Sequence, residues 1–94
     1  MTAEAPAIVL DDRLRVAGHF RLQWEEAQKA WVMLYPEGMI RLNGSAGEIM
    51  KRLDGNKTVQ DVVEELERSF ETAGLTADVL EFLAIARGRG WVTP

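Results

Sequence analysis

The chain has 94 residues, 47% of them hydrophobic and 28% charged, which bounds it to one globular domain with a modest core. It has no cysteine, and this excludes disulfides, zinc–thiolate and iron–sulfur sites and thiol catalysis. A formal net charge of −4 argues against nucleic-acid binding, which needs a basic stripe to displace counterions.

Met1 to Asp12 contains Pro6 and small residues without a clear period, so residues 1–12 are expected to form a flexible arm and residues 13–94 a single domain. Ile8, Val9 and Leu10 are the part of the arm able to dock as an edge segment. Met1 to Val9 lacks the basic start and long apolar stretch of a signal peptide, and no apolar run approaches the ~20 residues of a membrane span. A cytoplasmic protein without a membrane partner is the expectation. Arg13-Leu14-Arg15-Val16 alternates briefly before Gly18 interrupts. His19 to Trp24 then alternates strictly, which predicts a strand with Phe20, Leu22 and Trp24 on one face. Ala30 to Tyr35 is apolar on both faces and reads as a central strand. Tyr35-Pro36-Glu37-Gly38 is a turn signal, with Gly38 expected in the left-handed conformation of a bulged hairpin. Met39 to Leu42 follows as a third strand, Ile40 and Leu42 pointing one way and Met39 and Arg41 the other.

After Leu42 the period changes from two to 3.6, and helices are expected near residues 46–53, 59–72 and 77–89. Ser45 with Glu48 has the spacing of a capping box for the first, Thr58 with Asp61 starts the second, and Thr76 caps the third. Val59, Val62, Val63, Leu66 and Phe70 form the apolar face of the second helix. The third is apolar nearly all round, with Val79, Leu83 and Ala86 on one stripe, Leu80 and Ala84 on a second, and Phe82 between. Gly55, Gly74 and Gly90 are the expected stops, and Trp91-Val92 closes the chain. The fold class is therefore α+β: a three-stranded antiparallel meander followed by three helices that cover it.

No set of residues supports catalysis or a metal site. His19 is the only histidine and lies on a polar strand face without clustered ligands, and the position of Ser45 is explained by capping. No cofactor is expected. Gly47, inside a helix, costs about 1 kcal/mol against alanine. It either lets another segment approach closely or is a tolerated imperfection. Trp24, Trp31 and Trp91 are expected mainly in the core, with room for one at the border of a groove. The third strand is an edge without proline or a charge cluster, so it can accept an added peptide strand by backbone pairing. The candidate peptide-binding residues are Met39, Ile40, Arg41 and Leu42 on that strand, with Leu80, Leu83 and Arg87 on one side of the third helix.

Trp31-Val32-Met33-Leu34-Tyr35-Pro36-Glu37-Gly38 resembles the strand and turn of the PqqD family, pyrroloquinoline quinone biosynthesis protein D. Leu42-Asn43, Ser45-Ala46, Ile49, Asp54-Gly55, Thr58-Val59, Leu66, Asp78-Val79-Leu80, Leu83 and Gly90-Trp91-Val92 continue the resemblance over residues 13 to 93. Gly47 stands where alanine is expected and Met50 where leucine is expected. The resemblance implies a winged helix-turn-helix-like fold serving as a peptide recognition element. It implies as partners the precursor peptide PqqA and the radical S-adenosylmethionine enzyme PqqE, which links a glutamate and a tyrosine of that peptide. It also implies that the peptide adds beside the third strand and packs against the third helix, and that the protein is no enzyme. A monomer in solution is expected, with an arm-exchanged dimer as a crystal alternative. The competing reading is a winged-helix DNA-binding regulator. An acidic second helix and a third helix with only Arg87 and Arg89 argue against it.

Overall fold

The computed structural model describes residues 7–94; the first six residues of the expected arm lie outside the described residues. The alternating segment forms strand β2 (Arg21–Glu25), which pairs antiparallel with β3 (Ala30–Tyr35), and β3 pairs with β4 (Gly38–Arg41) in the order β2-β3-β4. Leu22, Met33 and Ile40 stand opposite one another in register, as do Trp24 and Trp31. Met33 and Leu42 are buried, while Leu22, Trp31 and Ile40 are partly buried against the same core, so this face of the sheet carries the helices. The opposite face carries Val32 between Gln23 and Arg41; Val32 is fully buried yet belongs to no helix-side cluster. The central strand is thus apolar on both sides, as expected.

The turn between β3 and β4 differs from expectation. Tyr35 pairs directly with Gly38, leaving a two-residue connection of Pro36 and Glu37, and Gly38 does not have a positive φ. Proline fixes a negative φ at the second position of that turn, and neither Glu37 nor Gly38 takes a positive φ, so the left-handed residue of a bulged hairpin is absent.

The helices are α1 (Gly44–Met50), α2 (Val59–Ser69) and α3 (Thr76–Gly88). The start of α1 also differs from expectation. Asn43 is the cap, its Oδ1 accepting from the Ala46 amide at 2.8 Å, and Ser45 already lies inside the helix. Asparagine caps as well as serine does, and Asn43 is the extended residue immediately before the helix. Glu48 turns instead to Arg52 (2.8 Å) and Lys51 (3.1 Å). Gly47 contacts the sheet: a Cβ there would lie 2.8 Å from Trp31 Cδ1 and 3.1 Å from its Cβ. Of its two sequence readings, close approach is the one observed.

Helix α2 begins with every free amide satisfied. Thr58 and Asp61 form the expected capping box, at 3.1 and 3.0 Å. The Val59 and Gln60 amides donate to the carbonyls of Asp12 (2.8 Å) and Leu10 (3.0 Å). Ile8, from the same N-terminal stretch, is buried in the core. Arg52 (beside Glu48) also lies 3.6 Å from Glu65, and Lys57 pairs with Glu65 at 2.9 Å, so ion pairs tie α2 to the end of α1.

Helix α3 begins at Thr76, with Leu75 in the cap position and no side-chain cap. Thr76 is therefore not the cap; Glu67 of α2 instead accepts from the Leu75 amide at 3.0 Å. Its other end has a Schellman geometry: Trp91 donates to Ala86 (2.9 Å) and Gly90 to Arg87 (3.0 Å), with Gly90 at φ 76°. This turn delivers Trp91 to the core and sends β5 (Val92–Thr93) back against β1 (Arg15–Val16). The β1–β5 ribbon adds a second, two-stranded sheet to the expected architecture.

Candidate functional site

Backbone direction along β4 follows from one hydrogen bond. The Leu42 amide donates to the Trp31 carbonyl at 2.9 Å, so Trp31 and Leu42 are a hydrogen-bonded pair. Pairs alternate in an antiparallel ladder, so Ile40 also bonds inward to Met33, while the N–H and C=O groups of Met39 and Arg41 face outward. Both outward residues are exposed, and Arg41 makes no ion pair among the described residues. The edge of β4 thus presents two residues' worth of free donors and acceptors, without proline or a bulge to block them.

A groove of about 690 Å³ opens two residues beyond β4. It lies between the first turns of α1, the end of α2 and the first half of α3. Ile49, Leu66 and Val79 form its buried floor, Phe70, Leu75 and Phe82 its more exposed apolar walls. Asn43, Ser45, Glu48 and Asp78 supply its polar rim. Glu48 is held below the ordinary carboxylate range by the hydrogen bond from Arg52, so that part of the rim is anionic at neutral pH. A second cleft, of about 480 Å³, lies on the other side of Asn43 and Gly44 and is lined by Trp24, Trp31, Lys29 and Arg41 among others. Trp24 is 43% exposed and packs edge-on against Trp31 at 5.7 Å. Trp24 and Trp31 therefore both border a cleft, with Trp91 in the core.

The seven candidate residues separate. Met39 and Arg41 are exposed at the free edge, Ile40 is half-buried, and Leu42 is 4% exposed in the core. On α3, Leu83 is fully buried, and Leu80 and Arg87 are half-buried on a side of the helix that lines neither opening. The groove uses Leu75, Val79 and Phe82 instead. A helix apolar nearly all round does not reveal by spacing which of its sides meets the core and which a groove. The sequence places Phe70 on the apolar face of α2, but the helix ends at Ser69 and Phe70 is 54% exposed beside the groove. Among the described residues no group of histidine, cysteine, aspartate or glutamate could hold a metal ion.

Residues 30–92, from β3 to β5, match the family described as Coenzyme PQQ synthesis protein D (PqqD). The chain belongs to the PqqD family. Among its curated relatives, the PqqA binding protein of Acinetobacter baylyi is 49% identical over 74 residues, which is 78% of this chain and 75% of the relative. The PqqA binding protein of Azotobacter vinelandii is 45% identical over 84 residues, covering 88% and 91%. The fold resembles the solution NMR structure of the PqqD truncation of Methylobacterium extorquens PqqCD, with a TM-score of 0.78, 26% identity and coverage of 94% and 96%. That protein is described as a functional, stand-alone recognition element for ribosomally synthesized and post-translationally modified peptides. The PqqD match takes in β4, the groove walls of all three helices and the second cleft apart from Trp24 and Lys29.

Proposed function

We propose that this chain binds the precursor peptide PqqA as an added strand along β4 and presents it to the radical S-adenosylmethionine enzyme PqqE in pyrroloquinoline quinone biosynthesis, with no catalysis of its own. The observation that carries this reading is the free β4 edge, with Met39 and Arg41 amides facing outward and an apolar groove opening from Asn43, two residues past the strand. An added strand draws affinity from backbone hydrogen bonds and specificity from side-chain pockets. Met39 and Arg41 supply the former, and the free Arg41 guanidinium suits an acidic peptide residue. Ile40 and Leu42 hold the strand on the core, and α3 contributes its apolar surface, Leu83 from inside the core and Val79 and Phe82 at the groove. Leu80 and Arg87 then serve peptide or enzyme contacts at the neighbouring side of α3. The names of the relatives support the peptide as ligand. Among the described residues no helix is long and apolar enough to cross a membrane, in keeping with action in the cytoplasm.

Isothermal titration with the PqqA peptide tests this. Arg41→Pro removes an outward donor that the sheet does not use, so it should weaken binding while circular dichroism stays unchanged. Ile40→Pro, which removes an inward bond, should unfold the hairpin. Wild-type affinity in folded Arg41→Pro contradicts strand addition at β4.

A further inference from the structure

Peptide binding at β4 leaves the opposite edge of the sheet unexplained. Gln23 pairs inward with Val32, so the N–H and C=O groups of Leu22 and Trp24 face outward from β2. They have no hydrogen-bond partner among the described residues. The side chains of this strand read almost symmetrically about Gln23. Arg21 and Glu25 lie two residues to either side of it on the outer face, and neither forms an ion pair among the described residues. Leu22 and Trp24 flank it on the other face, Leu22 half-buried and Trp24 43% exposed.

An antiparallel second copy of β2 centred on Gln23 would set Arg21 opposite Glu25 and Glu25 opposite Arg21. It would also set Leu22 against Trp24 twice. That register makes the two Leu22–Trp24 pairs the hydrogen-bonded ones, which is what their outward amides require. A slip of one residue turns outward groups of one copy against inward groups of the other. A slip of two sets one charge opposite Gln23 and removes the other from the paired segment. Opposite charges directly across a ladder stabilise it and like charges destabilise it. We infer that β2 is a self-pairing edge through which two copies of this chain associate about a two-fold axis. The sheet then runs through six strands, with both β4 edges outermost and open. Five residues on each side bury far less than the ~1,200 Å² of a stable specific interface, so the dimer forms at high concentration and dilute protein is monomeric.

Sedimentation velocity from about 10 μM to about 1 mM reads this directly, since weak edge contacts have dissociation constants near that range. The average mass should rise towards twice that of the chain. Arg21→Glu makes both ends of the strand acidic and Glu25→Arg makes both basic, so each variant alone should associate at least about tenfold more weakly. An equimolar mixture of the two should recover association, because acidic ends then face basic ends at both positions. The double variant should self-associate like the natural chain. Saturating PqqA peptide should leave association unchanged, and the single variants should keep peptide affinity. Purely monomeric protein at the highest concentration overturns the inference. So does a dimer indifferent to charge reversal, a mixture no stronger than its components, or a dimer dispersed by peptide.

Discussion

Helices α2 and α3 sit side by side and are built on opposite plans. Helix α2 is strongly amphipathic, with Val59, Val62, Val63 and Leu66 buried and a charged outer face. Its first amides are all satisfied by Thr58 and by the carbonyls of the N-terminal stretch, and ion pairs through Glu65 brace it against α1. Helix α3 has no side-chain cap, depends on Glu67 of its neighbour for its start, and carries more apolar surface than the core takes up. Val79, Leu83 and Ala86 are buried, while Ile85 is 48% exposed and Phe82 stands at the groove. The difference separates two uses of hydrophobic residues. In α2 they secure the fold, and in α3 part of the surplus lines the groove.

The largest effect that would break this comparison is at Leu66. Leu66→Ala should cost about 2–5 kcal/mol in a chemical denaturation curve, because the side chain is 4% exposed between α2 and its neighbours. Phe82→Ala, at the groove, should cost less stability and more peptide affinity. A loss of stability as large as that of Leu66→Ala would place Phe82 in the core and remove the distinction. Next is Gly47→Ala, which tests the close approach of α1 to the sheet. The added methyl meets the Trp31 ring base, and overpacking of this kind costs about 1–3 kcal/mol. The better helix propensity of alanine, worth about 1 kcal/mol, offsets part of that. Net destabilisation is expected in thermal melts, with altered Trp31 fluorescence.

A smaller effect sharpens the contrast between the two helix starts. Thr58→Ala should cost about 1 kcal/mol, as loss of a capping side chain does, whereas Thr76→Ala should change stability by less than about 0.5 kcal/mol. Equal losses would show that Thr76 caps α3 after all. Acid acts on the same start. The backbone and side chain of Thr58 hold the Asp61 carboxyl below its ordinary range, and the Lys57 and Asn56 amides do the same for Asp54. Groups with lowered folded values bind fewer protons than in the unfolded chain. Their stabilisation is therefore full above the ordinary carboxylate range and fades as pH falls through about 4 and below. Denaturation midpoints should drop over that window, and less steeply in Asp61→Asn.

Local chemistry explains which parts of this fold were legible in the sequence. Alternation over Phe20, Leu22 and Trp24 and the doubly apolar Ala30 to Tyr35 are nearest-neighbour patterns, and both became strands in the expected orientation. Thr58 with Asp61 is a local reciprocal bond and formed as read. The β1–β5 ribbon joins Arg15–Val16 to Val92–Thr93 from opposite ends of the chain, and two-residue strands carry no period. Asn43 and Ser45 are both good caps, and the end of β4 selected the earlier one. The free edge of β4 was legible because an edge follows from strand order. Which side of α3 lines the groove was not. Leu80, Leu83 and Arg87 share helical spacing, yet the packing of α2 and α1 directs Leu75, Val79 and Phe82 to the groove.

Amide hydrogen exchange, read residue by residue by NMR with and without PqqA peptide, tests the central claim most directly. Strand addition at β4 predicts that the Met39 and Arg41 amides slow markedly on peptide binding, while Ile40, already bonded to β3, changes little and Leu22 and Trp24 keep their rates. Slowing confined to Leu22 and Trp24, or protection of α2 with β4 unaffected, would contradict it.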